Sequence, residues 1–238
     1  MNTFRSSPLS NIPPVVKNLL IINLIFFIAS AIFQTKGISL IKELGVYYFD
    51  SPKFIVWQVI TYMFMHGGFA HILFNMFALF TFGSTVERIM GSKRFLNFYL
   101  ITGLGALALQ MMVQAIEIYG LTGGITIDPL TFRSEDANII KTLSEIYYTP
   151  MVGASGAIFG LLIAFGMLFP NAELFIMFIP APVKAKYIIP VYILVELFLG
   201  VAQFAGDSIA HFAHLGGALF GFLLVKFWNL KKPGSYYE

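Results

Sequence analysis

The sequence contains no cysteine and few charged residues, and both absences limit what kind of protein it can be. Without cysteine, disulfide bonds and thiolate metal sites are excluded. Charged residues make up 11% of the 238 residues, whereas a typical soluble domain has about 25%. Hydrophobic residues reach 58%, and the mean hydropathy is +0.79. This composition is that of an integral membrane protein.

The net charge of +3 is also small. It comes from basic residues beside apolar segments, which indicates membrane topology rather than nucleic-acid binding. The chain has no internal repeat and no low-complexity segment. Its first 17 residues are polar, and the long apolar run that follows has no clear small-residue cleavage site. We therefore expect an uncleaved first membrane helix.

Six apolar runs fit the roughly 20 residues that a helix needs to cross a bilayer core. We predict spans over about 19–33, 69–86, 95–116, 154–169, 188–204 and 209–228. Segment 34–58 alternates charges with aromatic residues, a pattern typical of an interfacial, partly helical segment that does not cross. Segment 117–150 is charged, and we predict an aqueous loop with a short helix near 137–146. The prolines within 173–186 predict a loop there.

An even number of spans places both termini on the same side of the membrane. Ten basic residues fall on that side and five on the other, so the positive-inside rule predicts cytoplasmic termini and location in the inner (plasma) membrane. The predicted organisation is a polar cytoplasmic N-terminus (1–14), a six-span domain (15–228) with an outer insertion (117–150), and a cytoplasmic tail (229–238).

The stretch Gly153-Ala154-Ser155-Gly156 places a serine at the start of the fourth predicted span. Backbone N–H groups at a helix start have no partner within the helix, so they are available to stabilise an oxyanion beside the serine. The two glycines allow close approach of a substrate backbone. Taken alone, the same motif also fits ordinary packing of small residues in a membrane helix.

His214 lies seven residues before Gly221 and so shares the helical face of Gly217-x-x-x-Gly221. The fourth span carries a similar stripe, Gly156-x-x-x-Gly160, with Ser155 beside it. Such stripes permit close helix contact, so we predict that Ser155 and His214 are neighbours. The alternative is a structural hydrogen bond made by the histidine.

His71 and Asn75 are four residues apart and share one face near the outer end of the second span. Their N–H groups suit an oxyanion. A metal site is the alternative, because the chain has four imidazoles. However, there is no His-Glu-x-x-His motif and no carboxylate at ligand spacing to the histidines, so no metal or cofactor is predicted. The four histidines are His66, His71, His211 and His214.

Together these motifs resemble those of a rhomboid intramembrane serine protease in order, spacing and span, over roughly residues 15–228. The motifs are His71-x-x-x-Asn75, Gly153-x-Ser155-Gly156 and Ala213-His214-x-x-Gly217-x-x-x-Gly221. The resemblance implies an all-α six-helix bundle with an interfacial first outer loop. Glu87-Arg88 also resembles a Glu-Arg pair that, in the family, helps to hold the helices and that loop.

The resemblance further implies a catalytic dyad, in which His214 is the general base and Ser155 the nucleophile. The Ser155 N–H, His71 and Asn75 would hold the oxyanion, and no acid is needed to orient the histidine. Asp207 is not assigned to a triad, and Glu196 is predicted to form an interior hydrogen bond, with proton movement as the alternative. Supporting roles are predicted for Gly153, Gly156, Gly217, Gly221, His66 and His211.

In the family, the fifth span and the loop after it form a movable cover over the site, here Phe198, Phe204 and 205–208. The implied partners are transmembrane protein substrates and the lipid bilayer, with no nucleic acid and an unknown oligomeric state. Two other functions remain open. One is a non-catalytic rhomboid-like protein that binds transmembrane segments. The other is a transporter, for which no inverted repeat is visible.

Overall fold

The computed structural model describes residues 11–129, 131–175, 181–202 and 209–231. Over these residues the fold is all-α except for one pair of two-residue strands. Its helices are α1 (Pro14–Gln34), α2 (Leu40–Leu44), α3 (Gln58–Thr61), α4 (Phe69–Ala78), α5 (Ser84–Met90), α6 (Ser92–Thr122), α7 (Ala137–Tyr148), α8 (Ser155–Leu168), α9 (Ala185–Ala202) and α10 (His211–Phe227). A π-helical turn, Leu79–Gly83, joins α4 to α5 in one continuous helix.

Within the described residues, four helices are long and apolar enough to cross a membrane: Pro14–Gln34, Phe69–Met90, Ser92–Thr122 and Ala185–Ala202. The protein is therefore a multi-pass helical membrane protein. The two remaining apolar helices, α8 and α10, have 14 and 17 residues. Each coincides with a predicted span but is shorter than the usual 20 residues, so the count of six spans stays a prediction.

Two segments show detail that the sequence does not predict. The third span was expected to end at 116, but α6 continues to Thr122, because Glu117 does not interrupt it and Gly123 terminates it in a left-handed conformation, φ +80°. The predicted loop at 173–186 contains an antiparallel pair, β1 (Glu173–Leu174) with β2 (Val183–Lys184). The end of the fifth predicted span, 203–204, lies outside the described residues.

Helix α10 lies against both α6 and α8, and glycine makes this close contact possible. A methyl group on Gly217 would overlap the backbone carbonyl of Gly156, and one on Gly221 would press on the backbone of Gly160. On the other side of α10, a methyl group on Gly216 would lie 2.8 Å from the Gly105 carbonyl oxygen. Backbone therefore meets backbone on two sides of α10, as in small-residue helix contacts generally.

Glu87 fastens α1 to α5. Its carboxylate is buried and accepts hydrogen bonds from the backbone N–H groups of Val15 and Val16, at 3.0 and 2.8 Å. These are otherwise unpaired donors of the first turn of α1. Arg88 donates to the Asn11 carbonyl at 2.7 Å. Glu87 also accepts a hydrogen bond from the Ser92 hydroxyl at 2.7 Å. Among the described residues, the bonds of this pair thus reach the starts of α1 and α6, and not the first outer loop that the resemblance implied.

The insertion 117–150 is bonded to the first outer loop. The Tyr147 hydroxyl donates to Asp50 Oδ2 at 2.7 Å, and the Ser51 hydroxyl donates to the Tyr147 carbonyl at 2.6 Å. Burial, together with the bond to Asp50, raises the pKa of Tyr147, so the phenol stays protonated as a donor. Val46 and Met151 exchange two backbone hydrogen bonds just before the serine motif. These hydrogen bonds therefore hold the two segments together.

Candidate active site

Ser155 and His214 meet in a direct hydrogen-bond contact. Ser155 is the first residue of α8, and His214 is one turn into α10. His214 Nε2 lies 2.8 Å from Ser155 Oγ. The glycine contact between the two helices brings these side chains within reach. This is the geometry that a serine nucleophile and its general base require.

Phe159 packs flat against the His214 ring. The ring centroids are 4.3 Å apart and the planes differ by 7°. Phe159 lies one helical turn after Ser155, so it follows the serine along the same face of α8. On its other side, Phe159 contacts the Tyr192 ring of α9 at 5.0 Å. The stacking limits rotation of the imidazole; sequence reasoning missed Phe159, although its spacing from Ser155 was a usable signal.

The backbone before Ser155 takes a shape that needs glycine. Gly153 has φ +130°, a value that other residues rarely adopt. A methyl group at this position would lie 2.8 Å from His71 Nε2 and 3.5 Å from Ser155 Oγ. The Gly153 N–H donates to the Tyr62 carbonyl at 2.9 Å, which fixes the turn. Gly153 thus lets His71 and Ser155 approach each other.

His71 and Asn75 lie one turn apart on α4, and both carry hydrogen-bond donors. The Gly67 N–H donates to His71 Nδ1 at a long 3.4 Å. A neutral His71 that accepts at Nδ1 carries its hydrogen on Nε2, the atom beside Gly153. Asn75 is buried, and its Nδ2 has no hydrogen-bond partner among the described residues. A buried unpaired amide donor is costly, and an oxyanion would satisfy it.

His66 lies under His71, in the turn before α4. The two rings meet edge to face with centroids 5.0 Å apart. Burial, and after it the nearby His71, lower the pKa of His66 to about 4, against the opposing effect of the hydrogen bond with the Phe64 backbone. His66 is therefore neutral at physiological pH, and its contact with His71 is that of an aromatic support.

An acidic residue lies beside the histidines, contrary to the sequence-based expectation. Glu196 of α9 is buried, and its Oε2 lies 2.9 Å from His214 Nδ1 and 2.7 Å from His211 Nδ1. Local spacing gave no sign of this carboxylate, because Glu196 precedes His214 by 18 residues on another helix. The interior hydrogen bond predicted for Glu196 is present, and it reaches two histidines.

The same three residues are the group that could hold a metal ion within the described parts of the chain. One ligand atom from each of Glu196, His211 and His214 lies within 4.8 Å of the others. The sequence has no carboxylate at ligand spacing to the histidines, but the fold brings Glu196 to them from another helix. The contacts of 2.7 and 2.9 Å are direct hydrogen-bond distances. The absence of a metal cofactor stays a prediction.

Some predicted residues fall outside this description. Asp207, Phe204 and 205–208 of the predicted cover lie outside the described residues. Phe198 is described and is strongly exposed on α9.

Comparison with known proteins decides the family. The model of the Rhomboid domain matches residues 53–229, which is most of the chain. The chain belongs to the rhomboid family. Its helical membrane fold agrees with this membership.

Several curated rhomboid proteins are similar over about three quarters of the chain. Rhomboid protease GluP of Bacillus subtilis (strain 168) is 30% identical over 76% of the chain, and rhomboid protease AarA of Providencia stuartii is 30% identical over 71%. YdcA of Bacillus subtilis, named as a candidate rhomboid protease, is 31% identical over 76%. The matches span 27% of GluP, 54% of AarA and 71% of YdcA.

Proposed function

We propose that this rhomboid-family protein is an intramembrane serine endopeptidase that cleaves transmembrane segments of other membrane proteins. The observation that carries the proposal is the 2.8 Å contact between Ser155 Oγ and His214 Nε2. Both atoms belong to helix starts within an apolar bundle, where polar side chains are costly and tend to be functional.

The reaction would proceed through an acyl-enzyme. As Ser155 Oγ bonds to the scissile carbonyl carbon, its proton moves to His214 Nε2. The tetrahedral intermediate collapses, the C–N bond breaks, and His214 gives the proton to the leaving amine. A water molecule then attacks the ester with His214 again as base, which releases the carboxyl product and restores the Ser155 hydroxyl.

Three groups are suited to bind the oxyanion. The Ser155 N–H opens α8 and has no partner within the helix. His71 would present its Nε2 hydrogen, and Asn75 its unpaired Nδ2. Donors fixed in place before the reaction stabilise developing charge without reorganisation, and each is worth about 10²–10³ in kcat in serine proteases.

The proposal also covers location. Cytoplasmic termini in the inner membrane follow from the distribution of basic residues. Ser155 follows the outer insertion, so cleavage would occur near the outer face of the membrane. The division into N-terminus, catalytic six-span domain and tail remains part of this proposal.

The test is cleavage of a fluorescent single-span substrate by purified protein in proteoliposomes. Ser155→Ala and His214→Ala are each expected to reduce the rate at least about 10³-fold, because nucleophile and base act as a unit. Glu145→Gln, an exposed change on α7, serves as the matched control and should cleave like wild type. A wild-type protein that binds the substrate but cleaves no faster than Ser155→Ala would indicate the non-catalytic binder instead.

A further inference from the structure

Burying the carboxyl group of Glu196 in its apolar surroundings costs free energy. It lies in the middle of α9, an apolar helix long enough to cross the membrane, and its side chain is only 4% exposed. A carboxylate at such a depth is rare unless it is paired and functional. Its partners here are two imidazoles on α10, and one of them is the ring that contacts Ser155.

The contact defines which nitrogen of His214 carries the hydrogen. An ionised carboxylate only accepts hydrogen bonds, so Nδ1 of His214, 2.9 Å from Glu196 Oε2, must donate. A neutral imidazole with its hydrogen on Nδ1 has a free lone pair on Nε2. That nitrogen faces Ser155 Oγ at 2.8 Å. The carboxylate thus selects the tautomer that can remove the serine proton.

Negative charge at this point has a second effect. When His214 takes the proton of Ser155, the ring becomes an imidazolium in an apolar bundle. A carboxylate at Nδ1 stabilises that cation as it forms and is not itself protonated in the process. Phe159 limits rotation of the ring through stacking, but an aromatic face supplies neither the tautomer nor the charge.

We infer that Glu196 is a positioning residue for the reaction. Ser155 on α8, His214 on α10 and Glu196 on α9 then form a serine–histidine–carboxylate triad. The inference rests on the proposed protease function. His211 donates to the same oxygen of Glu196 at 2.7 Å and fixes the carboxylate from its other side. The competing explanation is a purely structural tie between α9 and α10.

The substitution Glu196→Gln separates the two explanations. Glutamine keeps the length and a hydrogen-bonding oxygen, so it preserves a structural tie, but it removes the charge. We expect kcat to fall about 10²–10⁴-fold, the range seen when the orienting acid of a triad is neutralised, while KM stays within about twofold. Glu145→Gln makes the same chemical change on the surface and should leave both constants as in wild type.

The thermal midpoint is measured on every variant. If Glu196→Gln keeps the wild-type midpoint and the wild-type kcat, or if its loss appears only in KM, the inference is overturned. Failure of the proposed function looks different, since wild type would then cleave no faster than Ser155→Ala. If Ser155→Ala is inactive while Glu196→Gln is fully active, the proposed protease function holds and only the role of Glu196 is refuted.

A measurement on wild type covers the case in which Glu196→Gln does not fold. The chain has four histidines, so nitrogen-15 NMR of histidine-labelled protein gives four rings, and the His214→Ala spectrum identifies the one sought. We expect His214 to carry its hydrogen on Nδ1. A hydrogen on Nε2 in the resting protein overturns the inference.

Discussion

Gly153 is a residue at which the conformation of the backbone and the shape of the site depend on each other. Its φ of +130° favours glycine, and a methyl group there would contact His71 Nε2 at 2.8 Å. Because the same residue donates to the Tyr62 carbonyl, its conformation is held from the opposite side. A single side chain at this position would disturb both the turn and the proposed oxyanion donor.

His66 gives a prediction about acid stability. Its pKa is about 4 in the folded protein, below the ordinary value of 6.5, so the unfolded chain binds the proton more readily between those values. Stability that is present above pH 6.5 is therefore lost as pH falls towards 4. From pH 7 to pH 5 the loss due to His66 should be about 1–2 kcal/mol.

The measurement is unfolding in detergent micelles at pH 7 and pH 5, for wild type and for His66→Phe. Phenylalanine keeps an aromatic ring against His71 but cannot be protonated. We expect a smaller decrease in stability for the variant. Equal decreases in the two proteins would show that His66 is not the group responsible.

Individual site residues can be predicted from the sequence where they belong to a short local motif. Ser155, His71 and Asn75 were selected from short spacings, and His214 from its place on a glycine stripe. Glu196 was identified as buried, but its partners could not be. Those partners depend on how α9 and α10 rotate against each other, and no local pattern in the sequence encodes that rotation.

At the scale of elements, the contact between α8 and α10 determines the site. Gly156 and Gly160 face Gly217 and Gly221, and the backbones touch. No side chain lies between them that could change rotamer to absorb a shift. The distance from Ser155 to His214 is therefore set by the main chains of the two helices.

Gly217→Ala is expected to push these helices apart. The added methyl group would overlap the Gly156 carbonyl, and such overpacking costs about 1–3 kcal/mol. A displacement of about 1 Å at a catalytic centre can cost about 10² in rate, so cleavage should fall by at least tenfold. The measurements are the thermal midpoint and kcat in the proteoliposome assay.

Gly120→Ala is the matched control, because it lies in helix α6 with nothing within 4 Å of the new methyl group. Alanine within a helix is favoured over glycine by about 0.5–1 kcal/mol, so this variant should be at least as stable as wild type. If Gly217→Ala behaves like Gly120→Ala, the close contact does not govern the site.

The elements themselves were largely predictable, since each apolar run coincides with a helix. The length of α6 was not, because Gly123 and not Glu117 ends it. The hydrogen bonds between insertion 117–150 and the first outer loop could not be predicted from the sequence either. It depends on single hydrogen bonds, such as that from Tyr147 to Asp50, between segments almost 100 residues apart.

For the whole molecule, the open question is orientation in the membrane, and the absence of cysteine makes it simple to test. Single cysteines at Lys93, in the first turn of α6, and at Lys141, on α7, place one thiol on each predicted side. Both positions are exposed. In bacterial spheroplasts, a membrane-impermeant maleimide should label Lys141→Cys directly and Lys93→Cys only after lysis. The reverse pattern would place the termini outside.

Helix α9 carries Glu196 and coincides with the span that the family resemblance assigns to the movable cover over the site. If α9 swings outward to admit a substrate, the carboxylate leaves His214 with it. The enzyme would then be unable to admit a substrate and react with it at the same time. In the open state His214 would lack its contact with Glu196, and the return of α9 would restore that contact.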